Sequence, residues 1–350
     1  MTFIKMKIKI NKNLSFCYKE RPKIIAEISG NHNGSKKKFL DLIKSAAKNG
    51  ADLIKIQTYE PVDITLKNKK DKFYIKKGIW KDTHLWDLYQ KACTPFNWHA
   101  EAFKIARKYG KEIFSSPFSI RGVDLLESLN CNLYKIASFE ITDLKLIDYI
   151  ASKHKPIIMS TGMCNDHEIK NAIKQINKYH NRIIILHCVS SYPTKLADIN
   201  LQRISHLKKK FNKNLIGLSD HTNSIISSLV SLPYNIVAIE KHYKLNNEEK
   251  TTDSVFSITP FEMNKLRSLT EEIFLSQKKN NFISDRSNII LRRSIFAKMN
   301  IKKNTPITIH NIDTLRPKIG ICASEYFKIL NKKIKRNIKK GEPIYKKDLL

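Results

Sequence analysis

Between Lys23 and His242, short runs of β-branched and other apolar residues recur, each bounded by polar positions. They lie at 23–28 (KIIAEI), 52–58 (DLIKIQT), 112–117 (EIFSSP), 133–138 (LYKIAS), 156–161 (PIIMST), 183–188 (IIILHC), 215–221 (LIGLSDH) and 236–242 (IVAIEKH). Runs of this kind suit strands buried on both faces, as in parallel sheets. Stretches of helical period separate them. In 36–49, Phe39, Leu40, Ile43, Ala46 and Ala47 recur at i, i+3 and i+4, and Gly50 stands where a C-cap is expected. The stretch 97–110 behaves alike and ends at Gly110. Eight β-then-α units over about 250 residues predict an α/β fold, a (β/α)8 TIM barrel. The second crossover, 59–111, is long, and predicts an excursion over 60–84 across one end of the barrel.

Nearly every run ends in a polar, chemically capable residue: Glu27, Gln57, Ser116, Ser138, Thr161, Cys188, His221 and His242. In a barrel of this type the C-terminal strand ends and the loops after them build the active site. A plain core gives no reason for polar groups to gather at one edge.

Residues 278–290 lack apolar periodicity and read as a linker. An echo follows, IKKNTPITIHNI at 301–312 and IKKGEPIYKKDL at 338–349. Two copies are too few for a solenoid. They predict two hairpin-like arms of one small β-rich module. The expected organisation is an N-terminal extension over 1–20, a barrel over 21–277, the linker, and a module over 291–350.

Composition adds a surplus of charge. The 350 residues carry a formal +32, from 64 Lys and Arg against 32 Asp and Glu. The tail 278–350 is the steepest part, with 19 basic and 5 acidic residues. A basic nucleic-acid-binding protein is one reading. It predicts an Arg-rich face with interleaved aromatics, and this chain has 11 Arg against 53 Lys. A lysine-rich solvated surface fits better. The apolar runs are too short to cross a bilayer, and no signal-peptide h-region follows Met1. The six cysteines are scattered without a C-x-x-C pair, as expected of a reduced cytoplasmic protein.

His221 and His242 close the seventh and eighth runs. Adjacent strands sit ~4.8 Å apart, so both imidazoles could reach one divalent cation. Two buried, hydrogen-bonded histidines are the plainer alternative. Regular alternation is expected to turn Asp220 and Glu240 away from the interior. Lys55 and Lys135 are flanked by apolar residues, where an ammonium is costly without an anion. With Ser116, Ser138, Ser190 and Ser219 they could receive a phosphate or carboxylate. A Schiff-base lysine, or pairing with Glu27 or Glu140, stays open. Glu27 opens the turn-rich loop AEISGNHNG and could act as a base or orient water. No P-loop or G-x-G-x-x-G occurs. Trp80, Trp86 and Trp98 read as packing residues.

AEISGNHNG (26–34), KIQTY (55–59), FSSPF (114–118), YKIASFEIT (134–142), IMSTGM (158–163), SSYPT (190–194), GLSDHT (217–222) and EKHY (240–243) occur in order. The chain resembles the sialic acid synthase family, whose members condense phosphoenolpyruvate with an amino sugar. Residues 293–350, with RSIFAKMNIKKNTPIT and RPKIGI, resemble its C-terminal antifreeze-like (SAF, β-clip) domain. SGNHN, LYQKACTPFNWH (88–99) and SSY look most like the branch using 2,4-diacetamido-2,4,6-trideoxy-L-altrose. N-acetylneuraminate or legionaminate synthesis is the near alternative, and a metal-dependent aldolase on the same fold a further one.

The resemblance implies that His221 and His242 hold Mn²⁺ or Mg²⁺, with Glu27 beside the metal as a catalytic carboxylate. It implies Lys55, Ser116, Lys135, Ser138, Ser190 and Ser219 as phosphoenolpyruvate contacts, and Gln57, Glu140, Tyr192 and Asp253 around the sugar. Arg316 matches an arginine that the SAF domain inserts into a partner's site, so a domain-exchanged homodimer is the implied assembly, with no nucleic-acid or membrane partner.

Overall fold

A computed structural model describes residues 6–248, 250–277 and 284–350. Two compact units divide the chain after Gln277.

In the first unit, β1 (Lys7–Lys9) and β2 (Ser15–Cys17) form an antiparallel hairpin. Eight strands follow: β3 (Lys23–Glu27), β4 (Leu53–Thr58), β5 (Glu112–Pro117), β6 (Tyr134–Ile136), β7 (Ile157–Ser160), β8 (Ile183–Cys188), β9 (Leu215–Asp220) and β10 (Ala238–His242). They run parallel in chain order, and β10 pairs with β3 to close a barrel. The predicted (β/α)8 barrel is present, its strands within one or two residues of the sequence reading. Strand cores such as Ile24, Ile54, Ile158 and Ile184 are fully buried, because helices cover the outer face while side chains fill the inner one.

The hairpin closes the N-terminal end of the barrel. The Tyr18 hydroxyl accepts the Ile216 N–H near the start of β9 at 3.0 Å, and Asn11 donates to Glu112 at the start of β5 at 2.7 Å. The helix predicted from 36–49 spans Lys36–Lys48, capped by Ser35 and followed by Gly50 at φ +92°.

The long second crossover holds more structure than the sequence predicted. After short turns at Pro61–Ile64 and Asp71–Phe73 comes a helix, Leu85–Ala92, ahead of His99–Lys108. Leu85–Ala92 spans only eight residues, too short a run for its apolar period to mark it as a helix.

In the second unit, β11 (Ser294–Ala297) pairs antiparallel with β12 (Ile312–Leu315). The sequence echo emerges as a pseudo-two-fold. Ile301 and Ile338 exchange backbone hydrogen bonds, Asn304 N–H donates to Ile334 as Gly341 N–H donates to Ala297, and Lys303 and Lys340 bond to Asn337 and Asn300. The two copies expected as arms of one module therefore pair with each other. Asn304 and Gly341 take matching positive φ, which explains the turn residue in each copy. Their interior is almost wholly isoleucine. Of the expected linker, 278–283 lie outside the described residues, and Ser284–Leu291 is 3-10 helix rather than irregular chain.

Candidate active site

A cavity of about 360 Å³ opens at the C-terminal mouth of the barrel. Alternation along each strand decides which residues reach it. Lys55 and Gln57 on β4, Lys135 on β6, Ser160 on β7, Cys188 on β8, Ser219 on β9 and both Glu240 and His242 on β10 line it, with Ser138 and His221 just past their strands. Thr161, grouped with the strand-end residues from sequence, instead donates to the Leu186 carbonyl, and Ser160 takes the inward place.

The expectation for Glu240 is overturned. It lies two residues before His242, so period two puts both on the inner face. Asp220 does point outward, where it pairs with Lys241 at 3.3 Å and accepts from Ser227 and Ser228.

Two buried ammoniums and two buried carboxylates form the floor. Lys55 sits 2.9 Å from Glu27 and 3.3 Å from Glu240. Glu240 also reaches Lys135 at 3.5 Å and accepts from Ser219 at 3.2 Å. Glu27 accepts from Gln57 at 2.9 Å. Burial opposes charge on Lys55, but Glu240 and Glu27 outweigh it and hold its pKa above the ordinary value. Lys135 is pushed below it by burial, against the pull of Glu240 and with the push of Lys55. Burial opposes the charge on Glu240 too, yet Lys135 and Lys55 hold its pKa down to about 2. Lys135 is thus a buried cation with one distant, shared carboxylate. The hydroxyls of Ser116, Ser160 and Ser190 are buried without a hydrogen-bond partner. Ser160 shares the cavity lining with Lys135, and an orphaned hydroxyl in one cavity with an under-paired ammonium makes a receptacle for an anion. Gly162 is required here: a Cβ would stand 2.1 Å from Ser190 Oγ and 2.9 Å from Ser138 Oγ, which accepts the Gly162 N–H.

Opposite this floor, the rings of His221 and His242 face each other at 5.3 Å between centroids. His221 Nδ1 lies 2.9 Å from the Val189 carbonyl, which assigns the proton to Nδ1 and leaves Nε2 as a lone-pair donor. His242 Nδ1 is buried without a hydrogen-bond partner, its nearest carboxylate being Asp253 at 3.6 Å. Two imidazoles beside an anion receptacle fit a metal site, which takes each ring as a neutral donor. No group of three or more His, Cys, Asp and Glu converges among the described residues.

The remaining candidates divide. Tyr192 and Asp253 line the cavity, Tyr192 stacked 4.4 Å from His221. Glu140 lines it too, and burial, opposed by Lys135, raises its pKa to about 7. Arg316 lies exposed in the second unit just past β12. Trp80, read as packing, lines the cavity with Tyr59, Tyr89 and Phe256. No sequence signal separates these aromatics from core residues.

Glu140 carries a pH prediction. A carboxyl whose folded pKa exceeds its unfolded value binds more protons when folded, so stability falls as pH rises from about 4.5 to 7. Glu140→Gln should therefore be more stable than the parent at pH 8, by up to about 3 kcal/mol, and no different at pH 4. Chemical denaturation at both pH values checks it; an equal offset at both would contradict it.

The fold is that of a TIM-barrel enzyme, with buried ammoniums and paired histidines at the C-terminal mouth. Residues 42–281 match the NeuB family and 292–350 the SAF domain, so the chain belongs to the NeuB family. It is 39% identical over 336 residues to a pseudaminic acid synthase of Helicobacter pylori, covering 94% of this chain and 98% of that one. A pseudaminic acid synthase of Campylobacter jejuni is 36% identical, covering 93% and 96%. The solved N-acetylneuraminic acid synthetase of Leptospira borgpetersenii superposes with a TM-score of 0.73 at 27% identity, over 82% of this chain and 95% of that one. Synthases of the family are metal-dependent. No helix among the described residues is long and apolar enough to cross a membrane.

Proposed function

We propose that this chain condenses phosphoenolpyruvate with 2,4-diacetamido-2,4,6-trideoxy-L-altrose to give pseudaminic acid, releasing phosphate by C–O cleavage. The supporting observation is the under-paired Lys135 among unpartnered serines, a receptacle for the phosphate and carboxylate that phosphoenolpyruvate carries.

Lys55, Lys135 and the hydroxyls of Ser116, Ser138, Ser190 and Ser219 hold the two anionic groups, stabilising charge throughout the reaction. Gln57, Glu140, Tyr192 and Asp253 orient the open-chain sugar so that its C1 meets C3 of phosphoenolpyruvate. A metal held by His221 and His242, Mn²⁺ or Mg²⁺, supplies a Lewis acid for the sugar carbonyl. Glu27 accepts the proton of the water that adds at C2. The C2–O bond to phosphate then breaks, phosphate leaves, C2 becomes the keto carbon, and the former aldehyde oxygen ends as a hydroxyl. The chemistry belongs in the cytoplasm, where phosphoenolpyruvate is made.

Incubation with phosphoenolpyruvate, Mn²⁺ and each candidate amino sugar tests the reading. Phosphate release with the altrose sugar is expected, with ¹⁸O from the bridging ester position recovered in phosphate. Label in the new acid overturns C–O cleavage, and pyruvate consumption without phosphate makes the chain an aldolase. Gly162→Ala should weaken phosphoenolpyruvate binding roughly tenfold in calorimetry, about one lost hydrogen bond; unchanged affinity removes Ser138 and Ser190 from the receptacle.

The assembly we propose is a domain-exchanged homodimer in which Arg316 serves a partner's sugar site. Arg316→Ala should raise the sugar KM at least tenfold and leave the phosphoenolpyruvate KM and the melting temperature in place. Unchanged sugar kinetics, or a monomer by sedimentation, would sink it.

A further inference from the structure

The helix Leu85–Ala92 turns Leu85, Leu88, Tyr89 and Ala92, at i, i+3, i+4 and i+7, to one face. Such a face ordinarily packs into a core, yet these side chains line the cavity and belong to neither hydrophobic core. The opposite face exposes Asp87, Gln90 and Lys91. Ile64 and Ile75, from the same crossover, join the cavity wall. The segment is anchored over the mouth by Trp80, whose indole N–H donates to the Thr252 carbonyl at 3.1 Å and whose ring packs 5.4 Å from Tyr192. Tyr192 in turn stacks on His221.

The cavity is therefore built from two materials. Strand ends supply ammoniums, hydroxyls and imidazoles, while the crossover contributes a half-buried apolar wall. With the Trp80 N–H engaged, the hydroxyls of Tyr59 and Tyr89 are the crossover side-chain polar groups left for a ligand among the described residues. Ile64, Ile75, Leu85 and Leu88 present methyl surface that no protein core covers.

We propose that this wall is the sugar-specificity element, seating methyl groups and selecting a 6-deoxy amino sugar over its 6-hydroxylated analogue. The inference rests on the synthase reading above and names what that reading leaves open, the residues that discriminate between sugars. A hydroxyl turned towards Leu85 and Leu88 gives up its water without gaining a partner. Discrimination of this kind against an added hydroxyl is limited, of the order of tenfold to two-hundredfold.

The test compares kcat/KM for the 6-deoxy sugar and its 6-hydroxy analogue at saturating phosphoenolpyruvate and Mn²⁺. The unaltered protein should favour the 6-deoxy sugar by at least tenfold. Leu88→Asn and, separately, Ile75→Thr should each narrow that ratio by fivefold or more and leave the phosphoenolpyruvate KM within twofold. Both positions are half-buried, outside either hydrophobic core, and the retained phosphoenolpyruvate KM reports an intact barrel. Turnover without preference, or a preference that survives both substitutions, overturns the wall as a selector and leaves the synthase reading standing. Absence of turnover with either sugar in the unaltered protein removes the synthase reading and this inference with it.

Discussion

His221→Ala should lower turnover by ~10³-fold or more while the barrel still folds, because the lost imidazole is one of two donors available for a Lewis-acidic metal. The structural cost is modest. Among the described residues the ring's polar partners are the Val189 carbonyl and the Cys188 thiol, and its packing partners include Tyr192, His242 and Phe256. Leaving one carbonyl unpaired costs about 1–3 kcal/mol, less where water enters. Calorimetric titration with Mn²⁺ should show binding weakened at least a hundredfold, and circular dichroism an unchanged fold. Full activity with intact metal binding would make His221 a packing residue, and an unfolded variant would make it a structural one.

Glu240→Ala has the largest expected effect on stability. This carboxylate is shared by two buried ammoniums, Lys55 and Lys135. Removing one partner of a buried pair strands a charge, at about 3–5 kcal/mol. Lys55 keeps Glu27 at 2.9 Å, so the burden falls on Lys135. Adding Lys135→Met should therefore return much of the loss, and inorganic phosphate should stabilise Glu240→Ala more than it stabilises the parent. Denaturation of the two single variants and the double closes the cycle. A single variant within about 1 kcal/mol of the parent, or a double variant no better than Glu240→Ala, would show that the ammoniums do not depend on this carboxylate.

The same residues show what was legible in the sequence. All eight barrel strands were readable, because a strand buried on both faces must be apolar along its length whatever it pairs with. His221, His242, Lys55 and Lys135 were legible as candidates, since polar groups on such strands have no cheap structural reason to be there. The orientation of Glu240 was misjudged although period two contained the answer, because it was set beside Asp220 rather than counted from His242. The helix Leu85–Ala92 was not legible for a different reason: it is eight residues long, and so short a period does not separate a helix from loop.

By itself the sequence determined the barrel, the separate basic module and the chemistry of the strand ends, since each follows from local pattern. Lysine-rich surface accounts for most of the +32 charge. Tertiary structure alone decided the partnerships. Closure of β10 onto β3 aligns His242 with Glu27 and brings Glu240 within reach of Lys55 and Lys135, residues far away in the chain. Pairing between distant strands sets which ammonium has a carboxylate and which waits for an anion, and local pattern carries no record of it.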